Sequence, residues 1–441
     1  MIRKLLMISA LTLSLGVTLT ACTPPTTPST TGSAETTTAT STEAPGGATQ
    51  PGEATQPGEA TQPGEATQPG DSEGSYPEGT YRGIYEDSGD QQVSIQFNLK
   101  DGNLHDISFR HLYYDGTDYG SLEEGAPLYG IKSQFLQAAE YLEGKPVASI
   151  SELYEPGDFV DDVDVATGAT LRSNKLHSAM QDALNRGPYT PDGDYTLTLP
   201  EYQDGTYRGI YGDGGDQQVS VQFKLESGNI KEVNFRHLYY DGLNAGALEK
   251  GDPNYGILQQ YEQLAEYLEG KPLNTITELH NPGDFIDDVD SFTGATMRSS
   301  KVYSAIRDGL NRGIYSPANG YTADFGEVED GRYRGTYGDG GVQQVAVEFS
   351  VKDGSLTELS FRHLYYSDQD YLVKEKSNPL YEVSGQYLQA LEYLEGKPLE
   401  AIYDLHNPGE FVEDVDASTG ATIRANKIFS AIMNALSRGI Y

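Results

Sequence analysis

The sequence predicts an α+β protein with three tandem copies of one small domain, in which an antiparallel sheet packs against helices. Three observations support this prediction. A Tyr-Arg-Gly segment recurs every 126 residues, strand-like alternation of apolar and polar residues follows it each time, and two stretches with helical periodicity complete each copy. One sheet against two helices is an α+β arrangement.

The three copies occupy residues 78–189, 204–315 and 330–441, and each closes on Arg-Gly-x-Tyr. Copies of this length are domain-sized, so each is expected to have its own core. The connectors, near residues 190–204 and 316–330, are short and contain Pro and Gly. The domains are therefore expected to stay close together.

Each copy opens with a predicted β-hairpin. In the first copy, two alternating segments are separated by an Asp-Gly pair, which predicts two strands with one buried face. The apolar residues of that face are Val93, Ile95, Phe97, Leu99, Ile107 and Phe109.

Two helices are predicted to follow the hairpin, ending near Gly144 and Gly187. A Pro-Gly loop and an acidic stretch separate them. The residues expected to face the core are Phe135, Leu136, Ala139 and Leu142 in the first helix, and Leu176, Ala179, Met180, Ala183 and Leu184 in the second.

The N-terminal residues 1–22 have the pattern of a lipoprotein signal peptide. Arg3 and Lys4 precede a short apolar stretch, and Leu-Thr-Ala-Cys forms a lipobox that ends at Cys22, the only cysteine. A lone cysteine is more often buried or free, but this position favours lipidation. Acyl chains would then anchor the protein to the outer face of a membrane. No cysteine would remain for a disulfide, an iron–sulfur cluster or a thiolate zinc site.

Residues 23–77 consist mostly of Thr, Pro, Ser, Gly, Ala, Gln and Glu, which predicts a disordered tether. The net charge of the chain is −36. Nucleic acid and anionic membrane surfaces are disfavoured as partners because both would be repelled. Membrane contact is expected through the lipid anchor only.

A Thr-Gly-Ala-Thr segment follows the acidic stretch in every copy. A loop of small residues is a poor core element but a good substrate for a modifying enzyme. A turn that leads into a helix cap is the alternative interpretation. The last threonines are Thr170, Thr296 and Thr422, and the aspartates six residues before them are Asp164, Asp290 and Asp416. The small residues between them are Gly168, Ala169, Gly294, Ala295, Gly420 and Ala421.

The pattern Asp-x-x-Thr-Gly-Ala-Thr resembles the attachment motif of the FMN-binding domain family. Members of this family include the covalent-flavin subunits of sodium-pumping NADH:quinone reductase and of Rnf complexes. The resemblance extends over residues 78–441 and implies up to three FMN groups, each joined to the last threonine by a phosphoester. It also implies a separate flavin transferase that takes FMN from FAD. The small residues would admit the loop to that enzyme, which would also contact the aspartate.

Other candidate sites have less specific patterns. Residues 109–114, Phe-Arg-His-Leu-Tyr-Tyr, would place Arg, His or Tyr beside a flavin, but a strand with tyrosines on a half-wet surface is the favoured interpretation. Likewise His111, His237 and His363 are interpreted as hydrogen-bonded strand histidines rather than proton partners. Residues 161–164 lack the spacing of an EF-hand and are interpreted as a solvated loop, so no metal site is expected.

The sequence predicts an electron-transfer protein rather than a stand-alone enzyme, and no catalytic residue is assigned. Because the chain shows no dinucleotide fingerprint or Walker loop, electrons are expected from a membrane donor of the quinone-linked or NADH dehydrogenase type. Ferric iron, a soluble flavin or a surface reductase would accept them. The chain resembles multi-flavinylated lipoproteins of Gram-positive extracellular electron transfer, which implies the extracytoplasmic face of a Gram-positive membrane. A non-redox surface binding protein or adhesin, and non-covalent FMN binding, stay open as alternatives.

Overall fold

The structure is a computed structural model. The residues it describes are 76–160, 168–194, 196–286, 294–321, 325–372, 375–412 and 420–441. The predicted signal peptide, Cys22 and nearly all of the predicted tether lie outside these ranges. Among the described residues, no helix combines the length and the apolar character needed to cross a membrane.

Repeat 1 (residues 78–189) is an antiparallel sheet covered by helices. Its strands are β1 (Gly79–Asp87), β2 (Asp90–Lys100), β3 (Asn103–Tyr114), β4 (Thr117–Asp118) and β5 (Thr190–Pro191, just beyond the predicted boundary). Its helices are α1 (Tyr129–Leu142) and α2 (Gly168–Arg186), with 3-10 helices at Val147–Tyr154 and Pro156–Asp158. The strands lie in the order β4-β3-β2-β1-β5.

Repeat 2 (residues 204–315) and repeat 3 (residues 330–441) have the same architecture. The strands of repeat 2 are β6 (Gly205–Asp213), β7 (Asp216–Glu226), β8 (Asn229–Tyr240), β9 (Leu243–Asn244) and β10 (Ser316–Pro317), and its helices are α3 (Tyr255–Leu268) and α4 (Gly294–Asn311). Repeat 3 contains β11 (Gly331–Asp339), β12 (Val342–Lys352), β13 (Ser355–Tyr366), β14 (Gln369–Asp370), α5 (Tyr381–Leu394) and α6 (Gly420–Arg438). The 3-10 helices of these two repeats are Ala245–Ala247, Leu273–His280, Pro282–Asp284, Leu399–His406 and Pro408–Glu410. The α+β prediction with three repeated sheet-plus-helix units is therefore confirmed.

The predicted core is mostly confirmed. All four alternating residues of β2 and all five predicted residues of α2 are buried. Ile107 and Phe109 are half-buried and pack at the edge of the core, where Phe109 meets Phe135 edge-on at 5.6 Å. The expectation for Leu136 is wrong: it is 41% exposed because α1 buries its face through Phe135, Ala138, Ala139 and Leu142.

The glycine of Tyr-Arg-Gly allows α2 to lie directly on β1. A Cβ added at Gly83 would come within 2.1 Å of the Ala179 carbonyl oxygen. Gly209 and Gly335 are equally close to the second long helix of their own repeats, at 2.0 and 2.1 Å. Any side chain at these positions would push the helix off the sheet, so this part of the motif is explained by packing.

The expectation that each repeat has its own core is wrong for repeats 2 and 3. The buried apolar residues of repeats 2 and 3 form one continuous cluster, and Tyr441 of repeat 3 completes the core of repeat 1. The closing tyrosine of each repeat stacks on the first strand of another repeat: Tyr189 on Tyr211, Tyr315 on Tyr337, and Tyr441 on Tyr85, with ring centroids 5.5 to 5.6 Å apart. Repeat 1 contacts repeat 2, repeat 2 contacts repeat 3, and repeat 3 contacts repeat 1. The three repeats therefore close into a ring.

The long helices α2, α4 and α6 contact one another at the middle of the ring. Arg186, Arg312 and Arg438 are buried there at the ends of these helices. Arg186 donates to Asp182 at 2.8 Å within its own helix and to Asp308 of the next repeat at 2.9 Å. Charged side chains thus join the repeats along the ring axis.

Candidate functional site

The Gly-Ala-Thr segments form the first turns of the long helices. Gly168, Gly294 and Gly420 are the first residues of α2, α4 and α6, so Thr170 and its two counterparts are the third. The segment that the sequence analysis treats as a loop is therefore helical from its glycine onward. The first backbone N–H groups of a helix have no intrahelical partner, and the helix dipole favours an anion at this position. The predicted aspartates Asp164, Asp290 and Asp416 lie outside the described residues, as does the predicted solvated loop at residues 161–164.

A cleft between repeats 1 and 2 lies beside one of these helices. Its volume is about 330 Å³, within the range of about 300–1,000 Å³ that is usual for small-molecule sites. Repeat 1 contributes Arg82 and Arg110 to the lining, and repeat 2 contributes Lys301, Tyr240 and three carboxylates, Asp213, Asp216 and Asp241. The cleft is therefore built by two repeats together.

The two arginines of the cleft converge on one buried carboxylate. The Arg110 Nε donates to both oxygens of Asp213 at 2.6 and 2.9 Å, and the Arg82 Nη1 lies 3.4 Å from the same group. Burial opposes ionisation of Asp213, but Arg110 and Arg82 outweigh it and hold its pKa below the usual range. Asp213 is therefore ionised at neutral pH and positions both guanidinium groups.

Lys301 is the cleft cation without a carboxylate partner. It is only 5% exposed, its Nζ lies 4.2 Å from the centre of the Tyr240 ring, and among the described residues no carboxylate is within ion-pair distance. Burial lowers the pKa of Lys301 to about 8; the negative charge of Asp213 opposes this shift, and the positive charges of Arg82 and Arg298 reinforce it. Burying such a cation is unfavourable unless another group compensates its charge.

The same arrangement occurs at the other two junctions. Lys427 lies 4.4 Å from the Tyr366 ring, and Lys175 lies 4.3 Å from the Tyr114 ring. Burial again lowers the pKa of each lysine to about 8. The arginine–aspartate pairs at these junctions are Arg236 with Asp339 at 2.7 Å and Arg362 with Asp87 at 2.7 Å.

The strand histidines join the repeats. The His363 Nε2 lies 3.2 Å from the Gln343 backbone oxygen, and the His363 ring packs on Gly89 of repeat 1. The rings of His111 and His237 pack in the same way on Gly215 and Gly341. Burial lowers the pKa of all three histidines, which are therefore neutral at pH 7. The interpretation as hydrogen-bonded strand histidines is confirmed for His363.

The sequence analysis did not identify the junction lysines Lys175, Lys301 and Lys427. It also did not identify the aspartates that pair with the arginines at the junctions. Each lysine stands five residues after its threonine, and each arginine belongs to a Tyr-Arg-Gly or Phe-Arg-His segment, so the 126-residue spacing marks them. What the spacing does not reveal is that an arginine of one repeat meets an aspartate of the next. Among the described residues no group of acidic, His or Cys side chains has the geometry of a metal site.

Comparison of the chain with models of known protein families, with curated proteins and with solved structures gives no match. The likeness to FMN-binding domains therefore depends on the motif residues themselves, and the function below is inferred from them and from the geometry.

Proposed function

We propose that this protein is a membrane-anchored, extracytoplasmic electron carrier that holds FMN covalently on Thr170, Thr296 and Thr422. The observation that carries the proposal is the place of the motif: in all three repeats Gly-Ala-Thr forms the first turn of a long helix.

Attachment requires a flavin transferase and FAD. The threonine Oγ would form a bond to the phosphorus of the FMN half, the pyrophosphate bond of FAD would break, AMP would leave, and the hydroxyl proton would pass to solvent. The helix start suits the product because its free N–H groups and dipole stabilise the phosphoester charge. The residues present therefore fit the group.

When bound, FMN would supply the redox chemistry, a two-electron exchange that can serve an acceptor such as two ferric ions. The chain contributes retention outside the cell and three closely spaced attachment positions. The donor would be a membrane dehydrogenase of the quinone-linked type, and a soluble flavin or a surface reductase are further acceptors. The lipid anchor at Cys22 would keep the carrier near its donor at a high effective concentration.

The first experiment measures covalent loading. The full chain, purified from a host that flavinylates other exported proteins, should stay fluorescent in a denaturing gel, and its intact mass should show up to three FMN phosphoester increments. Thr296→Ala should remove one increment, whereas Thr293→Ala, in the same motif, should remove none. An unmodified mass would contradict the proposal, and FMN retained by the triple threonine variant would favour non-covalent binding.

The second experiment measures electron transfer. Cells that depend on this chain for ferric reduction should lose it when Thr170, Thr296 and Thr422 are all replaced by Ala. If the triple variant reduces iron as fast as wild type, the carrier role is wrong, and the surface binding protein or adhesin becomes the better explanation.

A further inference from the structure

The three junctions have the same cations but different numbers of carboxylates. Each junction has two arginines and one lysine at equivalent positions. These are Arg82, Arg110 and Lys301 between repeats 1 and 2, Arg208, Arg236 and Lys427 between repeats 2 and 3, and Arg334, Arg362 and Lys175 between repeats 3 and 1. Since the cations are constant, the acidic residues decide which charge each junction presents to a ligand.

Two of the junctions carry at least as many carboxylates as cations. Between repeats 1 and 2 the lining of the cleft includes three carboxylates, Asp213, Asp216 and Asp241. Between repeats 3 and 1 three aspartates occupy the equivalent positions, Asp87, Asp90 and Asp115. A fourth carboxylate is present there, because Glu348 lies 2.5 Å from the Nε of Arg334. Neither junction therefore has an excess of positive charge at these positions.

The junction between repeats 2 and 3 keeps one of these carboxylates. Asp339 accepts from the Arg236 Nε at 2.7 and 2.8 Å and lies 3.4 Å from the Arg208 Nη1. The other three positions that carry an acidic residue at one or both of the other junctions are neutral here, with Val342, Ser367 and Gln222. Three cations thus face one carboxylate at these positions.

Two neighbouring positions leave this excess of positive charge in place. Asp368 follows Ser367, but it is exposed and occupies the position of Gly242, which is not among the described residues that line the cleft between repeats 1 and 2. Asn244 stands where the other junctions have an aspartate that acts electrostatically on the strand histidine, Asp118 on His111 and Asp370 on His363.

The same junction offers an aromatic and an apolar surface. The Tyr366 ring is 50% exposed, with the Lys427 Nζ 4.4 Å from its centre, and Val342 is also exposed. The equivalents of both residues line the cleft between repeats 1 and 2. A planar group would stack on the Tyr366 ring, and an anionic group attached to it would reach Arg236, whose side chain is 39% exposed.

We propose that the junction between repeats 2 and 3 binds a small planar anion, an aromatic phosphate or carboxylate, and that the other two junctions do not. The planar group stacks on Tyr366, and Arg236 and Lys427 stabilise the negative charge. This inference goes beyond the proposed function and needs no covalent flavin. A soluble flavin that carries a phosphate has this chemistry, and only its role as an acceptor rests on the proposed function.

The test uses the full chain with Thr170, Thr296 and Thr422 all replaced by Ala, so that no covalent flavin is present. Free FMN, which joins a planar ring system to a phosphate, is titrated at constant ionic strength, and its fluorescence reports binding. One FMN should bind per chain. Riboflavin, which lacks the phosphate, and inorganic phosphate, which lacks the planar group, should each bind about tenfold more weakly or worse, because each loses one of the two contacts.

Substitutions that exchange the junction charges locate the site. Ser367→Asp restores a carboxylate that the other junctions have and should weaken FMN binding about tenfold. The matched control Ser367→Asn has the size of that aspartate without its charge and should bind FMN within about threefold of the parent chain. Asp118→Asn, Asp216→Val and Asp241→Ser together give the junction of repeats 1 and 2 the neutral residues of the next one, so this chain should bind a second FMN.

Arg236→Gln and Arg110→Gln form a symmetric pair, because each arginine pairs with the buried aspartate of the following repeat. In chains whose denaturant unfolding matches that of the parent, Arg236→Gln should weaken FMN binding and Arg110→Gln should not. The proposal is overturned if no FMN binds, if riboflavin or phosphate binds as tightly as FMN, if Ser367→Asp and Ser367→Asn bind FMN equally, or if Arg110→Gln weakens binding as much as Arg236→Gln. None of these results depends on covalent loading, so a failure here is distinct from a failure of the proposed function.

Discussion

The junction that joins repeat 3 to repeat 1 and the two junctions between consecutive repeats share one set of outer contacts. At each junction an arginine of Phe-Arg-His pairs with a buried aspartate, and a glutamine side chain accepts from a glycine N–H of the facing hairpin. The glutamine contacts are Gln91 with Gly215 at 2.8 Å, Gln217 with Gly341 at 2.7 Å, and Gln343 with Gly89 at 2.6 Å.

Along the ring axis three buried positions that affect the charge balance differ between the junctions. Ile84 and Ile210 correspond to Thr336, Gly212 and Gly338 correspond to Glu86, and Asp182 and Asp308 correspond to Asn434. Thr336, Glu86 and Asn434 are all buried where repeat 3 meets repeat 1, and the Thr336 hydroxyl lies 3.5 Å from the Glu86 carboxylate.

At the closing junction, Glu86 adds a carboxylate to repeat 1, and Asn434 removes the carboxylate that repeat 3 would otherwise carry. The Asn434 side chain still accepts from the Thr336 N–H at 3.0 Å, as an aspartate would, but it brings no charge to Arg438. Among the described residues, the Nε and Nη1 of Arg438 have no hydrogen-bond partner. Arg312 and Arg438 both act electrostatically on Glu86. Three buried arginines thus face three buried carboxylates, Asp182, Asp308 and Glu86, and the charges balance over the ring rather than within each repeat.

The largest effect is expected at a consecutive junction. Asp308 accepts from the Arg186 Nη2 at 2.9 Å and from the Ile210 N–H at 2.8 Å, and it also pairs with Arg312. Asp308→Asn should lower the free energy of unfolding by about 3–5 kcal/mol, because the buried Arg312 loses its ion-pair partner and the buried Arg186 keeps only Asp182. Denaturant unfolding measures this loss. The exposed Asp284→Asn should change stability by less than about 0.5 kcal/mol, and an equally small loss at Asp308 would contradict the charge balance.

An intermediate effect is expected when the exchange at the closing junction is reversed. Glu86→Gly alone should destabilise the chain, because three arginines would then face two carboxylates. In a chain that already carries Asn434→Asp, Glu86→Gly should lower the free energy of unfolding by about 0.5–3 kcal/mol less, because Arg438 would regain a carboxylate partner. Denaturant unfolding of the four chains gives this coupling. If the effects of the two substitutions on the free energy of unfolding are additive, the carboxylates at positions 86 and 434 do not compensate each other.

The sequence predicted what is local and repeated within each copy. Alternation in β2 and periodicity in α2 are signals within short windows, and the structure confirms them. The ring could not be predicted, because Arg110 and Asp213 are 103 residues apart and nothing in either local pattern specifies the other. Only departures from the repeat could have indicated contact between repeats 3 and 1. Glu86, Thr336 and Asn434 differ from their counterparts 126 residues away, and all three lie at that junction.

The smallest effect is the pH dependence that Glu86 confers on the closing junction. Burial raises the pKa of Glu86; Arg312 and Arg438 oppose this shift without cancelling it, and Asp308 and Asp182 reinforce it. Between the unfolded value of about 4.3 and the raised folded value, the folded state binds the extra proton. The stability of wild type relative to Glu86→Gln should therefore fall as pH rises through this window, by at most about 1.4 kcal/mol per pH unit.

The comparison isolates Glu86, because the buried histidines titrate alike in both chains and cancel. The pKa of Asp182 is shifted downward, opposite to that of Glu86: burial opposes ionisation of Asp182, but Arg186 and Arg438 outweigh burial. Ionised Asp182 therefore contributes its full stabilisation above about pH 3.9, and this stabilisation is lost only at lower pH. Denaturant unfolding between pH 5 and 7 thus measures Glu86 alone. Adding Asn434→Asp should raise the pKa of Glu86 further and extend the decline to higher pH, whereas the exposed Glu249→Gln should show none. A wild-type curve parallel to that of Glu86→Gln would mean that Glu86 is ionised throughout and that Arg312 and Arg438 fully compensate its burial.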